Sequence, residues 1–470
     1  MTQQAHDGGN GTAPPAGGGA GRDGTGRDGT GCDGAGRAAT EAALVVVSID
    51  GLCTLKSGIG SIVHWFFEAI DEIVASTAGL RHDRWSLHAL SPRLDPASED
   101  YSGEVAAEVA AACARHRGDV RWFEVDDNSS LKSVWSLDKV ERWRTMCRNA
   151  AAQIRALAEG RSHVTVLAHG TMYATLRSHL ASSPNVQMIY MTHTLGRVFL
   201  DANSANRTAY EDEGFALMRS APQDKIGYVG TYYRDVLFTD YDRRDRDLVP
   251  FQNAVYVRSR RFAALADARA AADLGPVPTD KRLVFSWGRC VPQKGFDVVI
   301  PAFGEFLSRR TDAADWHLVL LAPQEVAASE YVASLHEQLD RLPPGSHTII
   351  EQFDPLLPFK ILAHRALEIC VFASRFEAGP LTLIEALTFG HEDVRIVWHD
   401  IPPMRHLVRE QPKTFGFAPL QAPEMADAML RAADGGGIVK SSVIDFATSM
   451  SAGLEAALDW WDPHLRGGAA

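Results

Sequence analysis

At 470 residues the chain is too long for one ordinary hydrophobic core, and its length suggests two domains. With 46% hydrophobic and 23% charged residues, and no apolar run of about 18 residues, it reads as a soluble globular protein and excludes a membrane-spanning one. Lys and Arg total 47 against 59 Asp and Glu; the net charge of −12 repels nucleic acid and anionic lipid, so any bound anion must be captured locally.

Residues 1–40 are rich in Gly, Ala and Thr, carry the near-repeat GRDGTGRDGT and hold almost nothing that can be buried; they read as a disordered tail. No basic region followed by an apolar run marks a secretory leader. The six cysteines, at 32, 53, 113, 147, 290 and 370, are scattered without CxxC or metal-ligand spacing, which fits reduced thiols in a cytoplasm.

Order begins at "AALVVVSID", a continuous apolar run ending in Asp50 and typical of a strand buried on both faces of a parallel sheet. "RWSLHALSP", "DVRWFEV", "HVTVLAHG", "VQMIYMTH" and "KIGYVGTYY" read as further strands. The Ala-rich stretches "GEVAAEVAAACARH" and "ERWRTMCRNAAAQIRALAEG" read as helices between them. A charged stretch, "TDYDRRDRDLVP", interrupts this alternation. It restarts with strands "RLVFSWG", "WHLVLLAP", "HTIIEQF", "LEICVFAS" and "VRIVWHD" and helices "FDVVIPAFGEFLSRR" and "TLIEALTFG". The pattern predicts an α/β protein of two doubly wound, Rossmann-like domains, 41–254 and 255–450, facing a cleft. Ligands in such sheets bind beyond the carboxyl ends of the strands. A last helix, "MSAGLEAALDWW" (450–461), is expected to return to the first domain with Trp460 and Trp461 on its apolar face, 451–470 forming the returning helix and tail.

Three stretches carry chemistry. In "SIDGLCTLKSGIGSIVHWFFEAI", Gly58 and Gly60 let backbone amides approach an anion at the start of a helix. The third glycine of a dinucleotide fingerprint would fall at Val63, which argues against that reading. In "FSWGRCVPQKGFDVV", Arg289 and Lys294 place two cations beside a flexible strand end. In "SRFEAGPLTLIEALTFG", Glu377 sits in a loop after a buried strand, Pro380 at the first helical position, and Glu385 in the second turn. Amides of Leu381 and Thr382 then face the same crevice as the cations. Cations and amides for a diphosphate, with a carboxylate for a ribose diol, form a nucleotide-sugar site. The acids of "DYD" (240–242) and "DRD" (245–247) lie in a run of alternating charge and read as a solvated loop rather than a metal-binding Asp-x-Asp.

These motifs resemble those of retaining GT-B glycosyltransferases of the group 1 type, which include sucrose-phosphate synthases, the mycothiol-pathway glycosyltransferase and glycogen synthases. The similarity rests on the Gly-Arg and Lys-Gly pairs, on Glu377 and Glu385, on "LKSGIG", and on "MTHTLGRVF" with Arg207 and Glu211 downstream. It implies that Arg289 and Lys294 neutralise the leaving diphosphate, Glu385 binds the ribose, Glu377 contacts the donor hexose, His193 meets its outer hydroxyl, and Gly58 and Gly60 close over the phosphates. It further implies retention of anomeric configuration, no metal and no resident cofactor beyond the nucleotide sugar as co-substrate. Two departures touch the linker and donor pocket: Asn253-Ala254-Val255-Tyr256 stands where the family often has Asn-Gly-Val-Asp, and "HEDVRI" replaces its usual Pro-Val.

The expected activity is transfer of a hexose-type sugar from a nucleoside diphosphate to a hydroxyl of a small acceptor, such as an aminocyclitol, in a cytoplasmic enzyme of specialised metabolism. A glucan synthase, a nucleotide-sugar epimerase and a catalytically silent nucleotide-sugar-binding module are the alternatives. The sequence leaves the base, the sugar, the acceptor and the oligomeric state open.

Overall fold

The first strand shows how the chain organises itself. Every residue of β1 (Ala42–Val47) is fully buried. Ala42, Leu44 and Val46 join one core cluster and Ala43, Val45 and Val47 another, so the strand is covered on both faces. In this computed structural model, which describes residues 42–55, 57–80, 84–131, 134, 140–198, 204–263, 274–323, 330–408, 414–435 and 444–461, β1 lies in a seven-stranded sheet. The Gly-rich tail falls outside these residues.

The sheet continues with β2 (Trp85–Pro92), β3 (Val120–Phe123), β4 (His163–His169), β5 (Val186–Thr192), β6 (Lys225–Tyr228) and β7 (Leu248–Pro250), in the spatial order β3-β2-β1-β4-β5-β6-β7. A second sheet holds β8 (Arg282–Trp287), β9 (Trp316–Leu321), β10 (His347–Ile350), β11 (Leu367–Phe372), β12 (Arg395–His399) and β13 (Thr414–Phe417), in the order β10-β9-β8-β11-β12-β13. All pairings are parallel. Each sheet reverses its winding once, between β1 and β4 and between β8 and β11, and a ligand crevice opens at such a switch point.

Three local expectations shift. The stretch "KIGYVGTYY" is a strand only to Tyr228; a helix, Thr231–Thr239, then buries Tyr233, Val236 and Leu237 on one face. The charged run "TDYDRRDRDLVP" ends in β7, and its Tyr241 is buried with its hydroxyl donating to Glu211 Oε2 at 2.9 Å, while Asp240, Asp245 and Asp247 stay at the surface. Strand β13 had no counterpart in the sequence reading, because "TFGF" is only partly buried.

The last helix runs from Phe446 to Ala457 and packs on the helix Ile70–Ser76 and on β7, so the chain returns to its first sheet. Ser451 Oγ donates to Ile73 O at 3.3 Å, Gln187 Nε2 to Ala457 O at 2.9 Å, and Trp461 Nε1 to Thr165 Oγ1 at 2.8 Å. Trp461 is completely buried, in keeping with the apolar face expected of this helix.

Candidate active site

The Lys-Gly pair after β8 has a steric cause. Gly295 adopts φ +70°, and a Cβ there would sit 2.2 Å from the carbonyl oxygen of Ala373. Glycine therefore lets the turn Pro292–Lys294 press against the loop that leaves β11. The two loops are laced together: Arg375 N donates to Gln293 O at 2.8 Å, Gln293 Nε2 donates to Phe376 O at 3.0 Å, and Arg375 pairs with Asp297 at 2.6 Å. This contact brings Lys294 Nζ within 2.6 Å of Glu377 Oε1, which also accepts from Ser374 Oγ at 2.7 Å. The side chains are only 14% and 9% exposed, so each charge needs the other. The sequence reading gave these two residues separate tasks; the structure makes them a pair. Arg289, just after β8, is exposed.

The helix Leu381–Phe389 follows the same loop. Pro380 is its cap, one position earlier than the sequence suggested, and the first turn bond runs from Ile384 N to Pro380 O at 3.1 Å. The amides of Leu381 and Thr382 therefore lie outside the helical ladder, at its positive end. One turn on, Glu385 Oε2 accepts from Trp287 Nε1 at 3.2 Å. Burial pushes the Glu385 carboxyl up to about 7, against the Trp287 hydrogen bond and the charges of Lys294 and Arg261.

From the first sheet, the loop after β1 reaches this helix. Ser57 caps the helix Gly58–Glu68 by accepting from Gly60 N at 3.0 Å. A Cβ at Gly58 would lie 3.0 Å from Leu381 Cδ1, so glycine permits the close approach of the two halves. Asn253 Nδ2 donates to Gly379 O at 3.1 Å, a second tie at the same place, made by the residue that begins the departing Asn-Ala-Val-Tyr stretch. Gly60 is buried and faces the carboxylate of Asp50 instead of the open crevice.

Asp50 closes the first apolar run and has none of the roles assigned to the three motif stretches. It is fully buried at the end of β1; Gly51 N donates to its Oδ1 at 2.8 Å, and Oδ2 has no partner among the described residues. Burial drives its carboxyl up to about 7. The signal was present: a charge closing an otherwise apolar strand.

His193 follows β5, next but one to β1. Its Nε2 lies 2.8 Å from Nδ1 of His169, the last residue of β4, and the rings stack at 5.1 Å. Burial depresses His193 to about 4 and His169 well below its ordinary value, so both are neutral at pH 7. Among the described residues no hydrogen bond or ion pair joins His193 to Lys294, Glu377 or Glu385. Beneath it, Arg207 and Glu211 pair at 3.0 Å; Glu211 also accepts from Gly196 N at 2.8 Å, and Arg207 donates to Thr194 and Thr171. This buried network fixes the loop that begins at His193.

Two parallel doubly wound sheets meeting at their switch points are the GT-B fold, and solved structures share it across the chain. A sucrose-phosphate synthase from Thermosynechococcus elongatus aligns with TM-score 0.59 and 15% identity, over 90% of this chain and 96% of that one. A trehalose-6-phosphate structure from E. coli bound with UDP-2-fluoro glucose gives 0.57 and 12%, over 91% and 99%. An alpha,alpha-trehalose-phosphate synthase (UDP-forming) from Burkholderia xenovorans in complex with glucose-6-phosphate gives 0.56 and 12%, over 90% and 100%. Residues 272–440, which hold Arg289, Lys294, Glu377 and Glu385, match the family model of group 1 glycosyl transferases. The chain thus has the GT-B fold, and its residues 272–440 are similar to group 1 glycosyl transferases. No curated protein matches the sequence.

Proposed function

We propose that the protein moves a hexose-type sugar from a nucleoside diphosphate to a hydroxyl of a small acceptor, with retention of anomeric configuration and without a metal or resident cofactor. The carrying observation is the convergence of Lys294, Glu377, Glu385 and the amino end of the helix Leu381–Phe389 against Gly58 of the other half. In this reading Glu385 accepts the ribose hydroxyls, and Arg289, Lys294 and the Leu381 and Thr382 amides stabilise the charge that grows on the diphosphate. Glu377 orients Lys294 and contacts the hexose, and His193 meets an outer sugar hydroxyl.

The bond between C1 and the leaving phosphate oxygen breaks, the acceptor oxygen bonds C1 on the same face, and the acceptor proton passes to a phosphate oxygen. No protein nucleophile is required. The cations and amides do the work that a divalent ion does in other transferases.

The acidic loops after β2 and β3, with Asp95, Glu99, Asp100, Glu124, Asp126 and Asp127, support a cationic acceptor such as an aminocyclitol. A sugar phosphate is the second reading, favoured by the neighbours' names. The five described cysteines are buried and free of disulfides, in keeping with a cytoplasmic enzyme. Because two neighbours are described with UDP, UDP and UDP-sugars head the test panel. Calorimetry with UDP, ADP, GDP, CDP and TDP tests the donor half: one of them binds tightly, and failure of all five contradicts the reading.

A further inference from the structure

The last residue of β8 belongs to the core and to the site at once. Along that strand Leu283, Phe285 and Trp287 alternate onto the face that holds Leu383, Ile384 and Ala386 of the helix Leu381–Phe389, while Val284 joins the opposite core. Trp287 is 5% exposed. Its ring lies nearly parallel to that of Phe285, at 4.6 Å and 8°, and meets Phe372 of β11 edge-on at 5.1 Å. Two neighbouring rings therefore fix the indole plane, and with it the direction of the N–H.

In that direction stands Glu385. Trp287 Nε1 donates to its Oε2 at 3.2 Å, across 98 positions of chain. Burial of an indole does not compel such a bond here: Nε1 of Trp65, Trp143, Trp316 and Trp398 is buried without a partner among the described residues, and the indoles of Trp85 and Trp461 meet neutral oxygens of Leu80 and Thr165. Of these tryptophans, Trp287 is the one that gives its N–H to a carboxylate. Oε1 of Glu385 accepts from no donor among the described residues, and Glu385 itself is only partly buried.

We propose that Trp287 is a positioning residue for ribose recognition: it holds Oε2 of Glu385 against the strand and so turns Oε1, with the remaining lone pair of Oε2, toward the hydroxyls of a nucleoside diphosphate. This inference rests on the nucleotide-sugar reading above, in which Glu385 accepts those hydroxyls. A glutamate side chain loses rotamer freedom on binding a ligand; one already held at an oxygen by a locked indole has less to lose. The same N–H favours the ionised carboxyl, the form that only accepts, against the burial that pushes it up to about 7. Strand β8 and the turn after it thus hold both glutamates of the second half, Glu385 through Trp287 and Glu377 through Lys294.

The test is calorimetry on the full chain with UDP, ADP, GDP and CDP and with the 2′,3′-dideoxy form of each, which lacks the hydroxyls assigned to Glu385. Wild type prefers the ribonucleotide. Trp287→Phe keeps an aromatic ring beside Phe285 and removes the N–H; the preference falls about ten-fold, the scale of one hydrogen bond to a charged group, while affinity for the dideoxy form stays within about two-fold. In Glu385→Ala the preference is already lost, and adding Trp287→Phe lowers it no further. Damage that was merely structural would weaken both forms together and would persist in the Glu385→Ala background. Should Trp287→Phe fail to fold, the indole N–H resonances of wild type serve instead: the one displaced most by Glu385→Ala shifts with the ribonucleotide and less with its dideoxy form. A ribo-to-dideoxy ratio that is near one in wild type or unchanged in Trp287→Phe, an equal further loss in the Glu385→Ala background, an indole signal that answers both forms alike, or binding of TDP alone overturns the inference while leaving the transferase reading standing. Wild type binding none of these nucleotides, TDP included, overturns the transferase reading and the inference with it.

Discussion

Replacing Lys294 by Met separates the structural from the catalytic part of the site. Lys294 and Glu377 are 14% and 9% exposed and 2.6 Å apart, so removing the lysine strands a nearly buried carboxylate. Breaking a buried pair on one side costs about 3–5 kcal/mol. Ser374 still donates to Glu377 Oε1 at 2.7 Å, which places the expected loss at the lower end, about 3 kcal/mol. For a unit of this size that is a fall in Tm of roughly 6–12 °C. On the proposed reading turnover falls as well, by about 10²–10³, because the variant loses a group assigned to stabilise charge on the leaving diphosphate. The double variant Lys294→Met with Glu377→Gln removes both charges and recovers melting to within about 1 kcal/mol of wild type, since no unpaired ion remains. Its turnover stays low. Thermal melts and steady-state kinetics on the four proteins complete the cycle. A wild-type Tm in Lys294→Met refutes the buried pair, and recovered turnover in the double variant refutes the catalytic assignment.

Three further outcomes follow from other parts of the fold. The Asp50 carboxyl is raised from 3.8 to about 7, so the folded state binds the extra proton, and the associated stability is full below pH 4 and lost as pH rises to 7. Asp50→Asn is therefore more stable than wild type above pH 7, by up to roughly 4 kcal/mol, and gains nothing at pH 4; equal gains at both pH values in denaturant titrations contradict this. Trp461→Ala, which empties a fully buried position and strips Thr165 of a donor, lowers stability by about 3–5 kcal/mol while leaving nucleotide affinity unchanged well below the melt; a surface-like loss under 1 kcal/mol sinks the return of the last helix. Transfer activity persists in EDTA; activity lost with chelator and restored by Mg²⁺ or Mn²⁺ overturns the metal-independent mechanism.

What the sequence made legible was whatever depends on local pattern. Buried strands such as "AALVVV" and "WHLVLL" are continuous apolar runs, and the two sheets could be read from them because a parallel strand covered on both faces leaves no polar alternation. Lys294, Glu377 and Glu385 could be singled out as site candidates because strand-end glycines and a helix start carry their own signals. Pairings at long range were not. Nothing near Lys294 says that Gly295 will press on Ala373 and deliver the lysine to Glu377. Likewise His169 ends β4 and His193 follows β5, its neighbour in the sheet, yet the two residues are 24 positions apart in the chain. The short strands β7 and β13 escaped because their neighbours, not their own residues, make them strands.

The most direct test of the central claim is phosphorus and proton NMR of the protein incubated with UDP-sugars and then other nucleotide sugars, alone and with a panel of aminocyclitols and sugar phosphates. Wild type releases the nucleoside diphosphate from one donor, faster with one acceptor, and the product's anomeric coupling shows the donor's α configuration; the Lys294→Met, Glu377→Gln protein, stable but impaired, releases far less. No release from any sugar nucleotide, equal release by the double variant, or a β linkage in the product contradicts the account.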